Sequence, residues 1–169
     1  MKRTRIDPKR FAENPIALIG EEWMLVTAGT PGNFNTMTAS WGGLGFLWGR
    51  PVAFVFVRKS RLTHEFIEKN EMLTLSFFDP EKYRNALQIC GSRSGRDCDK
   101  MALTGLTPEK TENGSTTFGE ARLVVECRKL YADTIEKGHF IDPEPLQQWY
   151  ADNDFHTMYV VEIVGVWMS

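Results

Sequence analysis

The sequence lacks an apolar run long enough to cross a membrane. Its longest uninterrupted apolar stretch, VAFVFV at residues 52–57, is far shorter than the roughly 20 residues that a membrane-spanning helix requires. The basic start, MKRTRIDPKRF, is not followed by an apolar segment with a small-residue cleavage site, as a secretion signal would be. We therefore expect a cytoplasmic protein with no membrane partner.

Cysteine, histidine and excess charge are also scarce. Three scattered cysteines form no CxxC pair, which favours reduced thiols over a disulfide framework. The three histidines, His64, His139 and His156, show neither HxH nor HExxH spacing, so we expect no metal site. Because 20 basic residues face 22 acidic ones, the net charge is only -2. Nucleic acid is therefore not an expected partner, and any bound anion must be held locally.

What the sequence does contain is β-forming, apolar segments separated by turn residues. With 169 residues, of which 42% are hydrophobic and 12% aromatic, the chain can build one core. We predict six strands, within residues 21–29, 35–43, 50–59, 71–78, 120–136 and 157–167. Strands of this kind predict one antiparallel barrel domain over residues 12–169, preceded by a loose N-terminal arm at residues 1–11.

Helices are expected only as short additions to the sheet. The clearest is DPEKYRNALQICG, residues 79–91, with Asp79 as N-cap, Pro80 in the first turn and Gly91 as the stop. Others are predicted at residues 63–70, 97–103 and 144–151. The segment TPEKTENGSTTFG, residues 107–119, is expected to be a polar loop.

The first unusual stretch is NFNTMTASWGG, residues 33–43. Thr36, Thr38 and Ser40 form a polar row along a predicted strand, whereas Met37 and Trp41 offer soft or aromatic surface. This pattern indicates a strand that contacts a ligand. The alternative is an ordinary barrel strand whose threonines serve β-propensity.

The second stretch is VRKSRLTHEFI, residues 57–67, where a strand ends just as a helix begins. Arg58, Ser60, Arg61 and Thr63 place two guanidinium groups and two hydroxyls near free helix N–H groups, a good receptor for a phosphate dianion. The alternative is a solvated strand end in which Ser60 or Thr63 caps the helix.

The third stretch is CGSRSGRDCDKM, residues 90–101. Ser94, Arg96 and Lys100 surround Gly95 in a loop that can bring main-chain N–H groups close to a flat polar ligand. A purely structural loop is the alternative, with Lys100 on the surface and paired with Asp97. Another thiol here, Cys98, has no resolving partner, so we leave it out of the site.

Four motifs occur in a distinctive order, namely NTMTASW, RKSRLT, SGRDCDK and GHF at residues 138–140. In this order and spacing the chain resembles the flavin reductase-like proteins with an FMN-binding split β-barrel, particularly the flavoredoxin-type branch. The similarity covers roughly residues 12–167. It implies a mainly β, antiparallel FMN-binding split β-barrel with short helices, and FMN as cofactor.

The resemblance also implies a set of cofactor-binding residues. The first strand would follow the isoalloxazine ring, the second stretch would hold the phosphate, and the third would lie beside the flavin, where Lys100 or Arg96 would favour the reduced, anionic ring. A Gly-His step adds one histidine. The predicted residues are Asn35, Thr36, Met37, Thr38, Ser40, Trp41, Arg58, Ser60, Arg61, Thr63, Ser94, Gly95, Arg96, Lys100 and His139.

No residue stands out as a nucleophile or general base, so the bound flavin is the expected redox group. The first hypothesis is an oxidoreductase that moves electrons from NAD(P)H or a redox protein partner to flavin, ferric or protein acceptors. A GxGxxG motif is absent, but related barrels bind NAD(P)H directly over the flavin. The alternatives are an electron carrier without its own substrate and a module that binds flavin or haem without turnover.

A homodimer is expected from the resemblance and from the aromatic content of five Trp and 11 Phe. Trp48, in the turn GFLWGRP, is a candidate for exposed aromatic surface that a partner chain would cover. The alternative is that Trp48 plugs the end of the barrel.

Overall fold

A computed structural model describes residues 2–169; Met1, the first residue of the predicted arm, lies outside the described residues. The strands are Thr4–Ile6 (β1), Met24–Thr30 (β2), Asn33–Ala39 (β3), Gly42–Leu47 (β4), Arg50–Arg58 (β5), Met72–Phe77 (β6), Pro108–Lys110 (β7), Thr116–Phe118 (β8), Leu123–Thr134 (β9) and His156–Met168 (β10). The helices are Pro15–Ala17 (α1), Leu62–Lys69 (α2), Pro80–Ser92 (α3), Lys100–Thr104 (α4) and Pro143–Trp149 (α5). A π-helical turn at Leu18–Glu22 continues α1, and 3₁₀ turns lie at Pro8–Arg10 and Lys137–His139.

The main sheet has eight strands, and every pairing in it is antiparallel. Seven of them follow the order β3-β2-β6-β9-β10-β5-β4, and β1 pairs with β10. The two end strands, β3 and β4, are consecutive in the chain and are separated only by Ser40 and Trp41. The two ends of the sheet therefore meet at this joint, which gives the predicted split barrel, and its opening lies between β3 and β4.

The N-terminal arm is bound to the barrel, so the expectation that it is loose was wrong. In β1, Thr4 lies opposite Met168 and Ile6 opposite Val166. Arg3 donates hydrogen bonds to the main-chain oxygens of Phe118 (2.7 Å) and Ala121 (2.9 Å). The pairing of β1 with the end of β10 satisfies main-chain N–H and C=O groups. The sequence of the arm contains no motif that predicts this pairing.

Alternation along the strands builds two apolar cores. In β2, Met24 and Val26 point into the barrel with Val55 and Leu75, whereas Leu25 packs on the outer face with α3. These five side chains all come from strands, in which alternate residues face opposite sides of the sheet. The barrel core thus carries the sheet, and the outer core fixes α3 against β2.

The helices agree with the prediction in place but differ in their ends. Asp79 caps α3 by accepting hydrogen bonds from the N–H groups of Glu81 (3.0 Å) and Lys82 (3.4 Å). Gly91, the expected stop, lies inside α3, which ends at Ser92. No helix among residues 2–169 is long and apolar enough to cross a membrane.

Besides the pairing of β1 with β10, two strand pairs were not predicted. The expected polar loop at residues 107–119 contains the hairpin of β7 and β8, which is held to β6 by a 2.6 Å hydrogen bond from the Thr74 hydroxyl to the Thr116 carbonyl. β4, which pairs with β5, was also missed, because its glycines conceal the apolar alternation.

Candidate functional site

A pocket of about 240 Å³ lies at the split of the barrel. Its lining comes from β3 and the β3–β4 joint, the end of β5, the N-cap of α2, the end of α3, the end of α5 and the start of β10. The lining residues are Met37, Thr38, Ala39, Ser40, Trp41, Phe56, Arg58, Arg61, Gly91, Trp149 and His156. The structure therefore brings the first and second predicted stretches together at one site.

Aromatic side chains form one wall of this pocket. The Trp41 ring lies 4.9 Å from the Trp149 ring, nearly perpendicular to it, and 5.2 Å from the His156 ring, measured between centroids. Trp41 and Trp149 are both partly exposed. A wall of this kind suits a flat apolar ligand.

His156 is a pocket residue that sequence reasoning missed. It lies opposite Arg58 in the pairing of β10 with β5, and its Nδ1 is 2.7 Å from the Tyr150 hydroxyl. Burial, with the positive charge of Arg58 as a second cause, lowers the pKa of His156 to about 4. The ring is therefore neutral at pH 7, and a Tyr150 hydroxyl that donates to Nδ1 leaves Nε2–H as a donor.

Arg58 and Ser60 are held by the segment that precedes β10. The Arg58 guanidinium donates to the main-chain oxygens of Asp154 (2.7 Å) and Trp149 (2.8 Å). The Ser60 hydroxyl donates to the Asp154 carboxylate at 2.5 Å. Ser60 does not cap α2, whose N-cap is Arg61 without a side-chain hydrogen bond, so the capping alternative was wrong.

Arg61 is the pocket cation that is least engaged. It donates one hydrogen bond, at 2.8 Å, to the Gly91 carbonyl, and within residues 2–169 it forms no ion pair. Burial, followed by repulsion from Arg58, lowers its pKa, but a guanidinium stays protonated in proteins. Arg61 and Arg58 thus give the pocket a cationic end beside its aromatic wall.

Several predicted site residues lie beneath the pocket instead of in its lining. The Asn35 amide donates to the Thr63 hydroxyl at 2.7 Å, and the Thr36 hydroxyl is 2.7 Å from that of Thr27. All four side chains are buried and satisfy one another. These side chains support β3 and α2, and direct contacts of Asn35, Thr36 and Thr63 with a cofactor stay a prediction.

Lys100 is also buried, with 6% of its surface exposed. Its ammonium donates to the main-chain oxygens of Thr36 (2.7 Å) and Cys90 (3.0 Å). Burial lowers the pKa of Lys100. The alternative that placed it on the surface and paired it with Asp97 was wrong, and its ammonium lies behind β3 and not in the pocket lining.

The loop that carries Ser94, Gly95 and Arg96 packs against the second stretch. Arg96 donates to the Ser60 carbonyl (3.1 Å) and forms an ion pair with Glu65. A Cβ atom on Gly95 would lie 2.2 Å from Asn35 Oδ1, so any larger residue here requires Asn35 or the loop to shift. Ser94 accepts a 3.1 Å hydrogen bond from the Arg96 N–H. These contacts stabilise the loop and place none of its side chains in the pocket lining.

His139 lies in a different pocket of about 270 Å³, which Ile135, Phe140 and Met158 also line. The imidazole is exposed and lies 3.7 Å from the Glu136 carboxylate. Met158 lies opposite Phe56, which lines the first pocket, so the two pockets adjoin across neighbouring strands. The predicted contact of His139 with the first pocket is not formed within this chain.

The pocket joins a further cavity of about 360 Å³ through shared residues Thr38, Ser40 and Gly91. Trp23, Leu87 and Gln88 line its other side. Each cavity alone is near the lower end of the roughly 300–1,000 Å³ typical of ligand sites. Together they form a groove along β3 that could take a ligand with a flat ring and an anionic tail.

A model of the flavin reductase like domain matches residues 17–169. The chain belongs to the flavin reductase-like domain family. No curated protein matches it.

Solved structures share the fold of this flavin reductase-like domain. An FMN-binding domain of a flavin reductases-like enzyme from Shewanella baltica OS155 is 19% identical, with a TM-score of 0.68 over 99% of this chain and 77% of that one. Flavoredoxin of Desulfovibrio vulgaris (Miyazaki F) is 24% identical, with a TM-score of 0.67 over 87% and 69%. Flavoredoxin from Methanosarcina acetivorans is 22% identical, with a TM-score of 0.66 over 100% and 76%.

Proposed function

We propose that this flavin reductase-like domain binds FMN in the groove along β3 and acts as an FMN-dependent oxidoreductase. The observation that carries the proposal is the pairing of an aromatic wall, Trp41 and Trp149, with a cationic end, Arg58 and Arg61, in one pocket. This donor set suits a flat ring with a phosphate tail. The FMN-binding proteins among its structural neighbours support the same choice of cofactor.

The residues of the pocket divide the work of binding. Trp41 and Trp149 would contact the flat ring, Arg61 would bind the phosphate, and neutral His156 would offer a hydrogen bond to a polar ring edge. When bound, FMN supplies the capacity to accept and return electrons. The buried ammonium of Lys100 would add positive charge behind β3, and we keep it as the proposed source of stabilisation for the reduced ring.

For the electron path, we propose transfer from NAD(P)H or a redox protein to flavin, ferric or protein acceptors. A carrier without its own substrate is the second candidate, which the structural similarity to two flavoredoxins favours. A module that binds flavin or haem without turnover is the third. The candidates differ in whether the domain itself takes electrons from a nicotinamide.

We also propose that the domain works as a homodimer in the cytoplasm. Trp48 and Phe46 expose 56% and 64% of their surfaces on the β4–β5 hairpin. A partner chain that covered them would bury aromatic surface. The exposure of Trp48 favours this view over a plug for the barrel end. Three free cysteines are compatible with a reducing compartment.

The deciding experiment is an FMN titration followed by anaerobic mixing of the complex with NADH or NADPH. Binding with an altered flavin spectrum supports the site, and rapid bleaching by a nicotinamide supports a reductase. Reduction by dithionite or a protein donor alone would assign the carrier role. Failure to bind FMN at micromolar concentration would refute the proposal.

A further inference from the structure

A carboxylate already occupies hydrogen-bond donors that the sequence assigned to a phosphate. Asp154 accepts from the Ser60 hydroxyl at 2.5 Å and from the Ser60 N–H at 3.4 Å. Its other neighbour is Arg58, whose guanidinium lies 4.0 Å from the same carboxylate. Asp154 therefore stands where an anion would be held, 94 residues along the chain from Ser60.

We propose that Asp154 is an internal competitor for the anion site and determines how strongly the pocket prefers FMN to riboflavin. This inference rests on the proposed function, because it needs the phosphate of FMN to approach Ser60 and Arg58. Each Ser60 donor that serves the carboxylate is lost to the phosphate, and a phosphate that approaches Ser60 is repelled by the like charge of Asp154. Asp154 thus weakens the binding of the phosphate without touching the ring.

The main chain around Asp154 allows its side chain to leave without moving the pocket wall. The Arg58 guanidinium donates to the main-chain carbonyls of Asp154 and Trp149, and these bonds do not depend on the Asp154 carboxylate. His156, two residues further on, is anchored separately by Tyr150. Removing the charge therefore leaves Trp149 and His156 in position.

The test compares Asp154→Asn with wild type in titrations with FMN and with riboflavin. Asparagine keeps the shape of the side chain and removes its charge. We expect FMN to bind about tenfold more tightly, because one repulsive interaction near the phosphate disappears. Riboflavin, which lacks the phosphate, should bind within about twofold of wild type.

Asp152→Asn is the matched control. Asp152 also lies near Arg58, at 3.5 Å, but its side chain is 67% exposed. The Asp152→Asn substitution removes the same charge, but from a side chain that does not contact Ser60. It should therefore change FMN binding clearly less than Asp154→Asn does. Equal gains of FMN affinity in both variants would show that only the net charge matters, and would overturn the competitor role of Asp154.

Three further outcomes are distinguishable. Weaker FMN binding in Asp154→Asn would show that the carboxylate holds Ser60 in place for the ligand, and would overturn the proposal. FMN binding to neither protein would refute the proposed function itself. If Asp154→Asn unfolds, Asp154→Ser repeats the charge removal with a smaller side chain, and an unchanged ratio of FMN to riboflavin affinity there would also overturn the role.

Discussion

The ammonium of Lys100 joins two elements of the site, since its Nζ lies 2.7 Å from the Thr36 carbonyl on β3 and 3.0 Å from the Cys90 carbonyl in α3. Thr38, two residues along the same strand, donates from its hydroxyl to the Leu87 carbonyl at 2.5 Å. The last turns of α3 are thus attached to the strand that lines the pocket. Lys100 therefore links β3 to α3 by hydrogen bonds, in addition to carrying a positive charge.

Substitution of Lys100 tests how much its hydrogen bonds to β3 and α3 contribute to the free energy of unfolding. Lys100→Met keeps most of the apolar stem but leaves two carbonyls without their charged donor, while it relieves the burial of an ammonium. We expect the free energy of unfolding to fall by about 2 kcal/mol, measured by urea denaturation. Lys82→Met, at a side chain that is 73% exposed, is the control and should change stability little. Equal losses of unfolding free energy in the two variants would contradict the link that Lys100 forms between β3 and α3.

Arg61 should be the main phosphate ligand. Arg61→Ala removes a charge-assisted contact worth roughly 1.5 to 3 kcal/mol, so we predict that the FMN dissociation constant rises about 10- to 150-fold. Riboflavin binding should change much less. Arg93→Ala, at an exposed arginine outside the pocket lining, is the control for net charge. The same FMN affinity in wild type and Arg61→Ala would remove this residue from the site.

The strands were predictable because their chemistry is local. Alternation in β2 separates Met24 and Val26 from Leu25, and turn residues mark the ends of the segments. The hairpin of β7 and β8 was not predictable from its polar sequence. Thr116 is buried there because the hairpin lies against β2 and β6, and such a contact leaves no periodic signal.

The candidate site was predictable in its chemistry but not in its orientation. The sequence placed Trp41, Arg58 and Arg61 in one site, and the structure joins them in one pocket. It gave no sign that Lys100 turns inward, because the neighbouring acidic residues suggest an exposed segment. Ser60 and Asp154 are 94 residues apart in the chain, and no sequence motif predicts a contact over such a separation.

Acid should destabilise the fold through His156. Its pKa in the folded protein is about 4, below the value of about 6.5 in an unfolded chain. As pH falls from about 6.5 towards 4, the unfolded chain takes up a proton that the folded ring refuses, so stability is highest above this range and is lost within it. After allowance for partial solvation, the loss is about 2 kcal/mol.

Urea denaturation between pH 7 and pH 4.5 measures this effect. His156→Asn should be less stable at pH 7, because it loses the bond with Tyr150, but its stability should fall less steeply with acid. His139→Asn, at an exposed side chain, should keep the slope of wild type. The same slope in His156→Asn and wild type would show that acid acts elsewhere.

The exposed Trp48 on the β4–β5 hairpin should contribute to a contact between two chains. Trp48 has a left-handed backbone, with φ of 52°, which asparagine adopts with little strain. Trp48→Asn therefore removes the ring without disturbing the turn, and we expect a mixture shifted from a dimer towards the 19.3 kDa monomer, measured by light scattering. Ile16→Ser, at an 81% exposed side chain in α1, should leave the dimer intact. A wild-type monomer with FMN fully bound would refute a shared site.

Gly95 tests whether the third stretch supports the cofactor site through Asn35. An alanine Cβ would lie 2.2 Å from Asn35 Oδ1 and 3.2 Å from Leu62 Cδ2, and Asn35 cannot turn away without losing its 2.7 Å bond to Thr63. The loop must then lift from β3, which should lower the free energy of unfolding by about 1–3 kcal/mol. FMN binding should weaken as well, because Arg96 would be drawn from the Ser60 carbonyl. Gly32→Ala, in the turn between β2 and β3, is the matched control, since within the described residues no atom beyond its chain neighbours lies within 4 Å of its added Cβ. Thermal unfolding and FMN titration of both variants decide the matter: if Gly95→Ala behaves like Gly32→Ala in both measurements, the loop does not rest on Asn35.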